Sequence, residues 1–261
     1  MVRFLPTLVL FTLVSCGNQA SAEPADSRDD DFLRQVALST VVVNGNCPAS
    51  GFLIDREQRL VVTSMLSVLD KTHVWVMFPV VENGQVITEG PYYGKRLQEL
   101  LIPAKVLLTD YQRRIALIQP VRLPKSAQAI SPASREPRMD DPLYAIGDST
   151  ADGHLFAIFR GRLQKKLERK DGVELLATTL RTKENDWGCP VVNASCELVG
   201  MVSNAPYNSP TNDSPHIVTL SEIAAVTKKA GFDLQPKKSP EPEWMEIIVR
   251  GNSLWRQYAD E

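Results

Sequence analysis

The sequence lacks the excess of basic residues that a nucleic-acid-binding protein needs, since its formal net charge is −2. Nucleic acid is therefore not expected as a partner. Histidines are also scarce, and the three present (His73, His154 and His216) lie far apart along the chain. No two cysteines form a CxxC pair. Zinc sites in proteins are built from clustered cysteines and histidines, so neither a metal site nor a cofactor is predicted.

The N-terminus lacks an apolar run long enough to span a bilayer. Arg3 precedes a short apolar run over residues 4–14, which is typical of a signal peptide. The letters LVSC at residues 13–16 resemble a lipobox, in which Cys16 becomes the lipidated N-terminus. The letters ASA, ending at Ala22, resemble an ordinary signal-peptidase site. The chain is predicted to be exported, either lipid-anchored on the periplasmic side of the cell envelope or secreted.

Strand-like segments dominate the rest of the chain. STVVVNGN is a β-branched run closed by Asn-Gly, and SGFLIDREQRLVVTS holds two apolar runs around a charged turn, as in a hairpin. Short strands separated by turn residues favour a sandwich or barrel over alternating strands and helices. Only TLSEIAAVTKKAGF predicts a helix near the end, with Ser221 as its N-cap, Ile223 and Val226 on its apolar face and Gly231 at its end.

Composition divides the chain into six parts. The predicted organisation is a signal peptide over 1–22, a flexible acidic tether over 23–31, a first β-unit over 32–121, a proline-containing connection over 122–142, a second β-unit with its helix over 143–235, and a linker with an apolar tail over 236–261. The tail is too apolar to remain in water. It predicts either a helix that packs on the β-units or a partner-binding segment.

Several segments, taken in order, resemble the trypsin-like, chymotrypsin-fold serine proteases, and in particular the HtrA-type branch. The matching segments are SGFLID, VVTSMLSV, AKVLLTDYQRRIALIQ, DDPLYAIGDS, NDWGCPVVN with ELVGMVS, and HIVTLSEIAAVTKKAGF. They extend from Val36 to Leu234. The resemblance implies an all-β fold of two six-stranded antiparallel barrels with a C-terminal helix, and an active site in the cleft between the barrels.

None of the three catalytic positions of that family holds a residue able to do its work. The family's histidine corresponds to Leu66, its aspartate to Arg114 and its serine to Trp187. Leu66 cannot accept a proton, Arg114 is a permanent cation, and the Trp187 indole is no nucleophile. Catalytic residues are therefore not predicted, and the chain resembles an inactive member of the family.

The loop that supplies oxyanion donors in the family is also altered. Asn185 stands where the family has glycine, and Asp186 follows it. Of the two glycines that follow the serine in the family, Gly188 is kept and Cys189 replaces the other. Asparagine tolerates unusual backbone angles better than most residues.

The substituted cleft has two interpretations. Trp187 and Leu66 could fill the abandoned cleft with apolar side chains, or the same pair could form an apolar anchor pocket for a peptide. Arg113, Arg114 and Arg181 could place positive charge near the cleft or could form an ordinary solvated surface.

Disulfide pairing follows from the resemblance, which places the strand before SGF beside the nucleophile loop. A disulfide between Cys47 and Cys189 is therefore expected, with Cys196 as a competing partner of Cys189. Two separate buried thiols are the alternative.

The function predicted from the sequence is a non-catalytic, exported protease homologue that binds a peptide or protein partner. Membrane contact is expected through the lipid anchor only. The alternative is an endopeptidase with a rearranged nucleophile, for which Ser64, Ser67, Thr182 and Lys183 are the nearby candidates. A purely structural role in the envelope is a third interpretation.

Overall fold

Two closed antiparallel β-barrels form the body of the protein. The computed structural model describes residues 27–149, 153–182, 186–203 and 216–234. Within these residues each barrel has six strands, as predicted. No helix in this part of the chain is both long and apolar enough to cross a membrane.

The first barrel has the strand order β1-β2-β3-β8-β7-β4. Its strands are β1 Thr40–Asn44, β2 Pro48–Asp55, β3 Leu60–Ser64, β4 His73–Met77, β7 Ile102–Asp110 and β8 Ile115–Pro120. A small ribbon of β5 (Val81–Glu82) and β6 (Gln85–Val86) lies outside it. The predicted hairpin around the charged turn is confirmed, because β2 pairs with β3 and Gln58 N donates to Asp55 Oδ1 across the turn.

The second barrel has the strand order β10-β11-β14-β13-β12-β9. Its strands are β9 Pro142–Ser149, β10 His154–Glu168, β11 Glu174–Thr178, β12 Pro190–Val192, β13 Leu198–Ser203 and β14 His216–Thr219. The interior of each barrel is filled by its own apolar cluster. A further cluster joins the two barrels, with Phe52 and Leu117 from the first and Ile146 and Met201 from the second. Burial of such side chains stabilises the pair of barrels by roughly 1.5–3 kcal/mol each.

Five helices connect or cover these strands in the described part of the chain: α1 Ser27–Ala37, α2 Met65–Val68, α3 Gly90–Gly94, α4 Leu97–Leu100 and α5 Leu220–Lys229. Helix α1 begins inside the stretch that composition assigned to a flexible tether. Its Phe32 ring packs on Tyr144 at a centroid distance of 4.6 Å.

The C-terminal helix α5 differs from its prediction at one end. Thr219 is the N-cap and makes no side-chain capping bond, whereas Ser221 lies inside the helix and its hydroxyl donates to Glu174 on β11. Ile223 and Val226 are fully buried, as their spacing predicts. Gly231 has a φ of +86°, a conformation that favours glycine and ends the helix.

Candidate functional site

The loop over residues 186–189 of the second barrel meets the ends of β2 and β3 of the first. Ser50 N donates to Trp187 O at 2.9 Å. A Cβ atom added to Gly188 would lie 2.1 Å from Ser50 O and 2.9 Å from Ser64 N. Gly188 also has a φ of +90°. The barrels therefore approach each other here through main-chain atoms, at a contact that excludes any side chain at position 188.

The same loop is tied into the second barrel by its own main chain. Gly188 N donates to Val202 O at 2.8 Å, and Val202 N donates to Cys189 O at 3.0 Å. Cys189 N also closes a turn on Asp186 O at 3.0 Å. The loop thus continues the pairing of β12 with β13 up to the contact with the first barrel. Asn185 lies outside the described residues.

Leu66 lies on helix α2, directly after β3. Ser64 caps this helix, and its hydroxyl accepts a long hydrogen bond of 3.4 Å from Leu66 N. The Leu66 side chain is half-buried. Because Ser64 also faces Gly188, Leu66 lies two residues from the contact between the barrels.

Arg114 lies in the turn between β7 and β8, with a positive φ of 61°. Its carbonyl accepts a hydrogen bond from Met65 N at 3.0 Å, which joins this turn to the start of α2. The backbone contacts thus bring the segments that carry Leu66, Arg114 and Trp187 together around one short helix. Burial lowers the pKa of the Arg114 guanidinium, and the neighbouring Arg169 lowers it further while Asp171 opposes this.

The turn between β10 and β11 reaches across to the Arg114 turn. Gln112 Nε2 donates to Asp171 O at 2.9 Å, and Arg169 donates to Gln112 O. Arg169 pairs with Asp171 inside the same turn, and this hydrogen bond lowers the pKa of Asp171 to about 2. Charged groups from this turn of the second barrel, Arg169 and Asp171, therefore act on Arg114 of the first.

Trp187 is half-buried and packs on the interior cluster of the second barrel, together with Phe159. Leu66 belongs to none of the apolar clusters in the described part of the chain. The predicted packing of Leu66 on Trp187 is therefore not among the described contacts. The indole fills space beside its own barrel, while its carbonyl binds the other.

The expected Cys47–Cys189 disulfide is not formed in the structure, in which no disulfide joins Cys47, Cys189 or Cys196. The register explains why: Ser50, and not Cys47, meets the loop of the second barrel. Cys47 lies in the turn between β1 and β2, three residues before Ser50. Burial raises the pKa of the Cys47 and Cys196 thiols.

Cys189 points into the second barrel, where Gly147 makes room for it. A Cβ atom on Gly147 would lie 2.0 Å from Cys189 Sγ and 2.8 Å from Asp186 Oδ1. The Cys189 side chain is thus accommodated by the absence of a side chain at position 147. Both Cys189 and Asp186 are fully buried.

Arg113 does not contribute free positive charge to the cleft. Its Nε lies 2.6 Å from Glu222 Oε2 on α5, and its Nη1 lies 3.5 Å from Asp110 Oδ2. Arg181 is exposed, and Arg114 is half-buried. An anion site built on Arg113 is therefore not supported.

His216 is a residue that sequence reasoning did not select. It lies on β14 opposite Ser203 of β13, and both side chains are buried. Within the described residues His216 Nδ1 has no hydrogen-bond partner. Burial, aided by the Lys165 charge, lowers the pKa of His216 and favours the neutral imidazole. The sequence offered one signal for a buried histidine, the position of His216 at the start of the apolar segment HIVT.

Residues 49–201, more than half of the chain, match the family described as the trypsin-like peptidase domain. No curated protein sequence matches the chain significantly.

Solved structures that are similar in fold include the following three. An inactive form of Rv3671c from M. tuberculosis H37Rv, carrying a serine-to-alanine mutation, aligns with a TM-score of 0.61 and 16% identity over 78% of this chain and 91% of that one. Another structure of the Rv3671c protease in an inactive form gives 0.59 and 15% over 78% and 94%. The serine endoprotease from Yersinia pestis gives 0.57 and 17% over 80% and 68%. At these identities the likeness concerns the fold alone.

Proposed function

The chain belongs to the trypsin-like peptidase domain family, and from that membership we propose that it is a non-catalytic homologue that binds a peptide or protein partner. The proposal rests on one observation. The segments that carry Leu66, Arg114 and Trp187 meet at the contact between the barrels, where this family places its catalytic residues. None of the three side chains can act as base, as carboxylate or as nucleophile.

The alternative of a rearranged nucleophile receives no support from the nearby hydroxyls. Ser64 is buried and its Oγ accepts from Leu66 N. Ser67 is also buried, and its Oγ donates to Ser64 O at 2.7 Å. A hydroxyl nucleophile needs an adjacent base, yet His73 is exposed on β4 opposite Lys105. Lys183 lies outside the described residues.

A binding role uses what the cleft has in place of catalytic groups. Leu66 and Trp187 are both half-buried, so each retains surface that an apolar side chain of a partner can cover. The charged groups around Arg114 give a neighbouring polar edge. An apolar anchor with a polar rim is the usual chemistry of peptide recognition.

Labelling with a fluorophosphonate probe tests the absence of catalysis. The purified chain is expected to show no labelling and no cleavage of a generic protein substrate, because Trp187 occupies the family's serine position and an indole is no nucleophile. An active trypsin-like protease is the positive control, and heat-denatured chain measures non-specific labelling. Labelling of the native chain above that background would overturn the proposal. Appearance of labelling in the triple variant Leu66→His, Arg114→Asp, Trp187→Ser would support the assignment of positions.

Export and lipid anchoring at Cys16 form part of the same proposal. The residues concerned lie outside the described part of the chain, so the sequence pattern alone supports them. The variant Cys16→Ala is expected to lose membrane association and globomycin-sensitive processing in the bacterial host, whereas Ser15→Ala is expected to retain both. Unchanged fractionation of Cys16→Ala would favour cleavage after Ala22 instead.

A further inference from the structure

A groove of about 550 Å³ opens on the second barrel, and none of its walls comes from Leu66, Arg114 or Trp187. We call it the C-terminal groove. Its walls come from the inter-barrel connection, the strands β10, β11 and β13, the start of α5 and the residue where the described chain ends. They include residues 132–137, 166–168, 174–176, Val199, 219–221, Ala224 and Leu234.

The groove has an apolar floor and a rim of both charges, on which Arg135 pairs with Asp141. Leu175, Leu176 and Val199 form part of the floor. On the rim Lys166 pairs with Glu136. Glu168 and Glu174 also line the groove, and neither pairs with a cation within the described residues. An occupant with apolar side chains flanked by positive charge would fit this surface.

The chain itself leads to the groove. Leu234, the last described residue, lines it. A linker over 235–243 follows, which when extended spans at most about 30 Å. The linker is therefore long enough to deliver the next segment to any part of the groove.

That next segment has the composition the groove requires. The segment over 244–258 carries the apolar residues Trp244, Met245, Ile247, Ile248, Val249, Leu254, Trp255 and Tyr258. Arg250 and Arg256 flank the pair Leu254–Trp255 and outnumber Glu246, so the segment carries net positive charge that complements Glu168 and Glu174 of the rim. We infer that the C-terminal groove is the docking site of the chain's own segment 244–258. Docking removes apolar surface from water in both the groove and the segment.

Photo-crosslinking in the full chain tests the docking directly. Trp255 is replaced by p-benzoylphenylalanine, which is also aromatic, and the crosslinked peptides are identified by mass spectrometry after irradiation. Crosslinks are expected to peptides that contain 132–137, 174–176 or 219–224. Crosslinks confined to the first barrel, or none, would overturn the inference. A mixture of isotopically light and heavy chains identifies a second copy as the occupant if crosslinks join the two, and that result would also overturn it.

Variants of the tail give a second measurement that does not depend on barrel folding. Leu254→Asp is expected to reduce the crosslink yield and to speed tryptic cleavage at Arg250 and Arg256 by about tenfold, since a buried leucine is replaced by a charge. Leu254→Met is expected to retain the wild-type yield and cleavage rate. The matched control is Val121→Asp, which places the same charge at an exposed apolar residue of the first barrel. Equal cleavage of wild type and Leu254→Asp would contradict the docking. These outcomes are independent of the fluorophosphonate result.

Discussion

Replacing Gly188 with alanine is expected to destabilise the protein by about 2–6 kcal/mol, because backbone strain and overpacking add at this position. The new Cβ would lie 2.1 Å from Ser50 O and 2.9 Å from Ser64 N. Both are main-chain atoms of strands, so neither can rotate away as a side chain could. The φ of +90° adds strain that alanine cannot relieve. Urea unfolding of the variant and the wild type measures this loss of unfolding free energy. An unchanged m-value shows that the difference in midpoint reflects stability.

Gly84 provides a control that separates strain from steric conflict. It has a similar φ of +83° in the turn between β5 and β6, yet no atom lies within 4 Å of its added Cβ. Gly84→Ala is expected to cost about 1–3 kcal/mol from the backbone conformation alone. A cost at Gly188 no larger than at Gly84 would show that the close main-chain contact between the barrels is not formed.

Replacing Arg113 with alanine is expected to destabilise the protein by up to about 3–5 kcal/mol, because its carboxylate partners are buried although Arg113 itself is 26% exposed. Arg113 connects Asp110 of the first barrel to Glu222 of α5. Glu222 in turn accepts from Glu174 N of β11 at 2.9 Å. Without Arg113, two buried carboxylates lose their principal cation, although Lys229 remains 3.6 Å from Asp110. Thermal or urea unfolding near neutral pH measures the loss.

The matched control for this ion pair is Arg135→Ala. Arg135 pairs with Asp141 at 3.1 Å, but its side chain is 58% exposed. Exposed pairs contribute about 0–1 kcal/mol, so the control is expected to unfold close to wild type. If Arg113→Ala and Arg135→Ala lost equal stability, the network that joins the barrels to α5 would contribute no more than a surface pair.

The fold was predictable because the strands carry local signals. The β-branched run at 40–44, the charged turn at 55–59 and the apolar face of Ile223 and Val226 each appear in the sequence without reference to distant residues. Helix α1 was missed in part because its first residues are polar and acidic, a composition typical of a linker. Its docking through Phe32 on Tyr144 is a tertiary contact.

The sequence predicted which positions would form the site, but not which contacts their residues make. The sequence order places Leu66, Arg114 and Trp187 after recognisable strands, and the backbone contacts bring their segments together. The disulfide prediction depended on the register between β2 and the loop over 186–189, which is set by long-range pairing and leaves no local pattern in the sequence. The partnership of Arg113 with Glu222 spans 109 residues of sequence, and no local pattern reports it.

The hydrogen bond from Ser50 N to Trp187 O has a consequence for how such a chain can change over time. Every amino acid at position 187 supplies the same carbonyl, so the joint between the barrels does not depend on which side chain stands there. The main-chain carbonyl of residue 187 therefore joins the two barrels, while the side chain of the same residue determines the chemistry of the cleft. A lineage could exchange the side chain, and with it the activity, while the two halves of the molecule stayed joined.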